Sequence, residues 1–342
     1  MKRAVLICPG RGTYNKAELG YLGRYFPDQG LLATFDAQRA DAGQDSLIAL
    51  DGAGRFSLSR HGRGDNAAGL IYAAGYGDFL SVDRGAYDIV AVTGNSMGWY
   101  TALACGGALS APQGFRLANT MGTLMQRAMI GGQVIYPWVD DDWVPKFARR
   151  EALLSIVEHI NTLADHVLSL SIDLGGMLVL AGNEAGLTAF EKQVDPVQGR
   201  FPMRLGNHAA FHSPLQAPVA QEGRVALADL AMRQPDLPLV DGRGAIWWPH
   251  GTDTGALWDY TLGHQVTEPY DFTRAITVAA REFAPDLFII AGPGATLGGA
   301  VVQSLIRAQW RGLCDKSQFK QQQATRPLLL SMGMDDQRAQ VT

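Results

Sequence analysis

Short, continuous apolar runs at Ala4–Ile7, Tyr87–Thr93 and Asp286–Ala291 are separated by longer segments in which small and apolar residues recur at helical spacing. Runs of that length, apolar at nearly every position, predict strands of a parallel sheet covered on both faces. Helices are predicted over Asn66–Leu80, Phe115–Met129 and Tyr270–Phe283, the last stopped by Ala284-Pro285. The middle of the chain has another rhythm. Gln133–Val139 reads as strand, Arg150–Ala164 as helix, His166–Leu174 and Gly176–Ala181 as two strands about Gly175, Glu184–Val194 as helix and Arg200–Leu205 as strand. That order is ferredoxin-like. The expected architecture is therefore α/β: a large, α/β-hydrolase-like domain with a parallel sheet (residues 1–132 and 205–342), interrupted by a ferredoxin-like small subdomain (133–204), with a cleft between them. Beyond Cys314 the chain turns polar (Gln321-Gln322-Gln323, Arg326-Pro327), which predicts a surface tail.

Composition narrows the class. The 342 residues are 47% hydrophobic, enough for a large core, and carry a net charge of −4. No basic stripe of the kind that binds nucleic acid is present. The cysteines Cys8, Cys105 and Cys314 make no C-x-x-C pair or disulfide framework, which fits a reducing cytoplasm. Ala4–Cys8 is too short for a signal segment, and no apolar run approaches the roughly 18 residues that would span a bilayer. No metal-ligand spacing, P-loop or dinucleotide-binding turn is found, so no metal or cofactor is expected.

The chemistry is concentrated at Gly94-Asn95-Ser96-Met97-Gly98, a G-x-S-x-G pentapeptide between a predicted strand and the helix-like run Met97–Gly107. A sharp strand-to-helix turn of this kind presents a serine hydroxyl as a nucleophile. The glycines permit the turn. The N–H of the residue after the serine, Met97, is then placed to stabilise an oxyanion.

Several segments in order extend this picture. Pro9-Gly10-Arg11-Gly12 follows the first strand; the serine turn reads GNSMGWYTAL over Gly94–Leu103; MGTLMQ covers Met121–Gln126; Ala210-Phe211-His212-Ser213-Pro214 follows the small subdomain; Gln265–Phe272 and Ala291-Gly292-Pro293-Gly294 close the series. Together, over roughly residues 4–310, they resemble the acyl-carrier-protein malonyltransferase family, which is related to the acyltransferase domains of polyketide and fatty-acid synthases. The resemblance implies a Ser–His dyad of Ser96 and His212, with His208 as the competing imidazole. It implies an oxyanion hole from the N–H groups of Met97 and Arg11, and a main-chain carbonyl at Gln265 that orients the histidine. The implied reaction is ping-pong transfer of an acyl group from acyl-CoA to the phosphopantetheine thiol of an acyl carrier protein, with no cofactor.

Four positions depart from the family pattern. Arg11 replaces a glutamine, which is expected to place a guanidinium at the pocket mouth, either solvated or meeting a CoA phosphate or an acyl carboxylate. The family's carboxylate-binding arginine is matched by Met121, which predicts a preference for an uncharged acyl group unless Arg11, Arg204, Arg116 or Arg127 takes the arginine's place. Asn95 replaces a histidine and Trp99 a glutamate, which predicts a remodelled pocket wall, with Phe211 beside the base favouring a short chain. Carrier docking is expected on Lys146 with Arg149-Arg150, or on Arg307, Arg311, Lys316 and Lys320, since carriers of this type are acidic. The rival readings are a thioester hydrolase on the same scaffold and a non-catalytic carrier-binding subunit.

Overall fold

The computed structural model describes residues 1–342. Its main sheet is built from β1 (Lys2–Cys8), β2 (Tyr87–Gly94), β7 (Leu239–Val240), β8 (Ile246–Trp247), β10 (Leu287–Ile290) and β11 (Leu329–Ser331). The order is β11-β10-β1-β2-β7-β8, parallel throughout except for the antiparallel hairpin β7–β8. The central strand shows why the apolar runs lack alternation. Ala4, Leu6 and Cys8 enter one hydrophobic core while Val5 and Ile7 enter another on the opposite face. A strand covered on both sides has no position for a polar residue.

The second sheet contains β3 (Gly132–Pro137), β4 (Leu168–Leu174), β5 (Met177–Gly182), β6 (Met203–Arg204) and β9 (Tyr270–Asp271), ordered β6-β3-β5-β4-β9. Helices Phe147–Ile160 and Glu184–Gln193 complete the strand-helix-strand-strand-helix-strand order. β9 lies outside that unit and pairs with β4 in parallel, Ile172 opposite Tyr270 and Asp173 opposite Asp271. The helix predicted from Tyr270 therefore begins only at Phe272, where the Asp271 carboxylate caps the Arg274 N–H. Asp173 makes the same seam polar: it binds Arg150 and Arg307 and accepts from the Thr273 hydroxyl.

The predicted surface tail is instead part of the fold. Helix Lys316–Thr325 leads into β11, which pairs with β10, and Met332 is fully buried. Arg338 then reaches back to the buried Asp78 at 2.5 Å and to the Tyr21 hydroxyl. The segment reads as polar because that helix buries none of its residues, and the three-residue strand after it is too short to register in the pattern.

Backbone crowding fixes the end of β1 against the serine turn. A Cβ on Gly98 would lie 2.1 Å from the Cys8 carbonyl oxygen, and one on Gly10 would lie 2.4 Å from the Asn95 carbonyl oxygen. The Cys8 carbonyl accepts from the Asn95 N–H and the Asn95 carbonyl from the Gly98 N–H, so neither can withdraw without breaking the serine turn. Gly98→Ala is therefore expected to cost at least about 1–3 kcal/mol, seen as a lowered Tm in calorimetry. An unchanged Tm would show that this packing is not tight.

Candidate active site

Ser96 stands where β2 ends and helix Gly98–Cys105 begins. Its φ is +55°, a left-handed backbone that a serine adopts only under constraint. The constraint is visible: the Asn95 N–H donates to the Cys8 carbonyl at 2.9 Å and the Gly98 N–H to the Asn95 carbonyl at 2.8 Å. His212 is also left-handed, with φ +52°. Its loop is held by the Ser213 hydroxyl on the Ala210 carbonyl and the Ser171 hydroxyl on the Phe211 carbonyl.

These two turns bring the serine and histidine together. His212 Nδ1 lies 2.6 Å from the Gln265 carbonyl oxygen. A carbonyl only accepts, so Nδ1 carries the proton and Nε2 is left as an acceptor. Ser96 Oγ lies 2.7 Å from that Nε2 and donates to it. The arrangement is a hydroxyl, a base and an orienting group in a line, with a main-chain carbonyl in the third place. Gln265 is itself tied to the serine turn. Its Nε2 donates to the Ser96 carbonyl at 3.1 Å, and its Oε1 accepts from the Tyr100 hydroxyl at 3.0 Å. A π-helical turn, Tyr260–His264, sets the Gln265 carbonyl, and Trp99 Nε1 donates to Thr261 within that turn. Gln265→Ala is expected to reduce kcat about 10-fold or more with little change in KM, because it frees the carbonyl that holds the imidazole. Equal loss in kcat and rise in KM would assign Gln265 to substrate binding instead.

The Arg11 and Met97 backbone N–H groups donate to no acceptor in the protein. Both flank Ser96, one on each turn, as donors for a developing oxyanion need to be.

Ser96 opens into a cleft of about 480 Å³ between the two sheets. Arg11, Asn95, Gln133, His208 and Phe211 line it, together with apolar residues of the second sheet such as Ile172. His208 does not compete for the serine: its Nδ1 is 2.9 Å from Gln133 Oε1, and Gln133 Nε2 donates to Ser171. Met121 and Trp99 are not where the sequence placed them. Met121 is fully buried in the core with its sulfur against Gly223, filling the space that the missing side chain leaves, and it is not part of the cleft lining. Trp99 is also fully buried and supports the Gln265 turn from behind. Of the alternative arginines, Arg116 pairs with Asp229 and Arg127 with Glu222 away from the cleft. Arg204 lines the cleft but is held by Glu184 and Glu191. The sequence pattern gave no signal for the Gln133–Ser171 relay or for Tyr270, whose hydroxyl donates to the Gly94 carbonyl at 2.6 Å.

Burial pushes the His212 imidazole down to about 4, aided by His264 and opposed by the bond to the Gln265 carbonyl. Burial and the Arg11 charge push His208 down to about 3. His212 is thus a free base throughout the working range. The rate is expected to stay level from pH 8 to 5 and to fall as pH drops through about 4. Stability follows the same direction. Between an unfolded histidine value of about 6.5 and the folded value, the unfolded chain binds the extra proton. Stability is therefore full above that window and declines as pH falls through it. A rate profile breaking near 6.5 would contradict this burial.

No group of three or more His, Cys, Asp or Glu residues is arranged to hold a metal, and no helix is long and apolar enough to cross a membrane. No family model matches the chain. It is 25% identical to the malonyl CoA-acyl carrier protein transacylase of Salmonella typhimurium over 211 residues, 61% of this chain and 63% of that one. It is 28% identical over 245 residues to a phenolphthiocerol synthesis polyketide synthase of Mycobacterium marinum, covering 70% of this chain and 10% of the synthase. The chain thus spans less than two thirds of the length of either relative. Among solved structures, the malonyl-CoA:acyl carrier protein transacylase of Xanthomonas oryzae superposes with a TM-score of 0.76 at 20% identity, over 99% of this chain and 97% of the other. A malonyl-transacylase solved in complex with a type II polyketide acyl carrier protein superposes with a TM-score of 0.72 at 20% identity, over 89% and 93%. The chain is thus similar in sequence to malonyl CoA-acyl carrier protein transacylases, and it shares their fold.

Proposed function

We propose that the chain is an acyltransferase that moves an acyl group from coenzyme A, through an ester on Ser96, to the phosphopantetheine thiol of an acyl carrier protein. The observation that carries this reading is the hydrogen-bonded line from Ser96 through His212 to the Gln265 carbonyl, flanked by two unpaired backbone donors at one cleft. The chain's similarity to malonyl CoA-acyl carrier protein transacylases supports the same reading.

In the first half-reaction Ser96 Oγ attacks the thioester carbonyl carbon as His212 Nε2 takes its proton. The oxyanion is met by the Arg11 and Met97 N–H groups, each worth about 10²–10³ in rate. The C–S bond then breaks and His212 returns the proton to the departing CoA thiolate. In the second half-reaction the carrier thiol gives its proton to His212, attacks the acyl-serine, and the C–O bond breaks as Ser96 is reprotonated. Acyl-CoA is a substrate, and the residues call for no cofactor. For the acidic carrier, the two predicted basic clusters converge, because Arg150 and Arg307 bind the same Asp173 carboxylate while Lys316 sits over the Trp143 ring.

Single-turnover discharge of the acyl-enzyme tests the reading. Carrier bearing phosphopantetheine is expected to speed discharge at least about 100-fold over water, the acyl mass appearing on the carrier. Discharge at one rate with or without carrier would make the protein a hydrolase, and no acyl-enzyme would make it a non-catalytic carrier-binding subunit.

A further inference from the structure

The turn that supplies one of the two oxyanion donors has little backbone to hold it. Arg11 stands between Gly10 and Gly12, and Gly12 has a φ of +87°. Glycine on both sides leaves the peptide groups of Arg11 free to rotate. Neither its N–H nor its carbonyl makes a hydrogen bond within the protein. The anchors nearby lie on its neighbours: the Thr13 hydroxyl donates to the Gly10 carbonyl at 3.0 Å, and the Asn15 amide to the Gly12 carbonyl at 3.0 Å.

What holds Arg11 itself is its side chain. Nη2 carries two N–H groups, and it donates to the Gly62 carbonyl at 2.9 Å and to the Asn207 carbonyl at 2.8 Å. Gly62 stands just before helix Gly64–Ser81, and Asn207 lies on the segment that leads to His212. The Asn207 amide also donates to the Leu58 carbonyl at 3.1 Å, so those two segments are tied twice. The guanidinium carbon lies 5.6 Å from the centre of the Phe211 ring, next to His212. The guanidinium expected at the pocket mouth is therefore neither solvated nor open to a substrate anion. Its Nε and Nη1 are buried without an acceptor, and a Cβ on Gly64 would lie 2.8 Å from Nη1. Asp65, the nearby acid, is bound to Arg63. Burial lowers the guanidinium to about 10, against the pull of Asp65, so it keeps its proton at neutral pH. Enclosing a cation with two idle donors is costly. A methionine would fill most of the same space without that cost, so stability alone does not account for the residue.

We infer that the Arg11 side chain is a positioning residue: by joining its own turn to the Gly62 carbonyl and to the segment that carries His212, it fixes the Arg11 N–H as an oxyanion donor. This rests on the acyl-Ser96 reading. An oxyanion donor must lie about 2.7–3.1 Å from the oxygen it stabilises. A misplacement of about 1 Å costs on the order of 100-fold in rate. A guanidinium suits the task because its rigid, planar head reaches two carbonyls from one nitrogen. The oxyanion forms in both half-reactions, so the side chain serves acylation and discharge alike.

The test compares the two half-reactions on the full chain, by rapid quench and intact-protein mass spectrometry. Malonyl-CoA serves as donor, since the uncharged preference expected from Met121 lapses with that residue outside the cleft. Arg11→Met, which fills the space without donors, is expected to slow Ser96 acylation and discharge to holo carrier by the same factor, about 10–100-fold. The concentration of malonyl-CoA that half-saturates acylation is expected to stay within about threefold. Arg11→Lys reaches a carbonyl with a flexible ammonium and is expected to fall between, and it carries the test if Arg11→Met does not fold. Wild-type rates from a folded variant overturn the inference and leave Arg11 as a packing residue only. A weaker half-saturation with both rates kept, or a loss confined to acylation, also overturns it, since either assigns Arg11 to binding CoA. Absence of any acyl-enzyme in the wild type is a different result: it overturns the acyl-Ser96 reading, and this inference with it.

Discussion

Ser96→Ala is expected to abolish acyl-enzyme formation and to lower transfer to a carrier by about 10⁴-fold or more, with the Tm nearly unchanged. The size of the loss follows from the covalent mechanism, since no other hydroxyl is both within reach of His212 Nε2 and beside the free N–H donors. The stability expectation follows from position. Ser96 is only half buried, and its hydroxyl bonds to His212 alone, so its removal opens no core cavity. The strained φ of +55° remains in the alanine variant, because glycine packing and the Asn95 hydrogen bond impose it. Rates measured with purified variant and holo carrier check this. A variant retaining more than about a tenth of the activity would remove Ser96 from the covalent path.

His212→Ala is the second large effect, with an expected loss of about 10²–10⁴-fold in kcat. It leaves Ser96 without a base at neutral pH and leaves the Gln265 carbonyl without its donor. The double variant Ser96→Ala/His212→Ala is expected to be no slower than Ser96→Ala, because the two residues act as one unit. Additive losses would mean that His212 works through some partner other than the serine. The imidazole is also 3% exposed, so this variant, unlike the serine one, is expected to lose stability as well. His212→Gln separates the two effects by filling most of the space without supplying a base.

The sequence made some of this visible and hid the rest for definite reasons. The β1 and β2 strands and the serine turn were legible because a buried parallel strand writes an unbroken apolar run and a tight turn demands glycine at fixed places. The dyad partner was legible only through the motif around His212, since nothing local ties it to a serine on another element. Three short helices, Tyr21–Tyr25, Leu47–Asp51 and Leu58–His61, left no clear pattern, as a helix of four or five residues completes barely one turn of periodicity. The C-terminal strand β11 was hidden behind a polar helix that fully buries none of its residues. Met121 shows the limit of carrying a role across by position. A residue's number in a motif does not say which way its side chain leaves the helix, and Gly223 drew this one into the core. Arg11 shows the converse: the sequence offered a charged residue on a turn, and only the packing reveals that two of its nitrogens meet no partner.

The central claim is that Ser96 carries the acyl group, and intact-protein mass spectrometry of the wild-type chain after brief mixing with malonyl-CoA tests it most directly. The account predicts a single malonyl adduct that maps to the peptide containing Ser96, is absent from Ser96→Ala, and disappears when holo carrier is added. An adduct on any other residue, or carrier acylation with no adduct at all in a rapidly quenched sample, would contradict it.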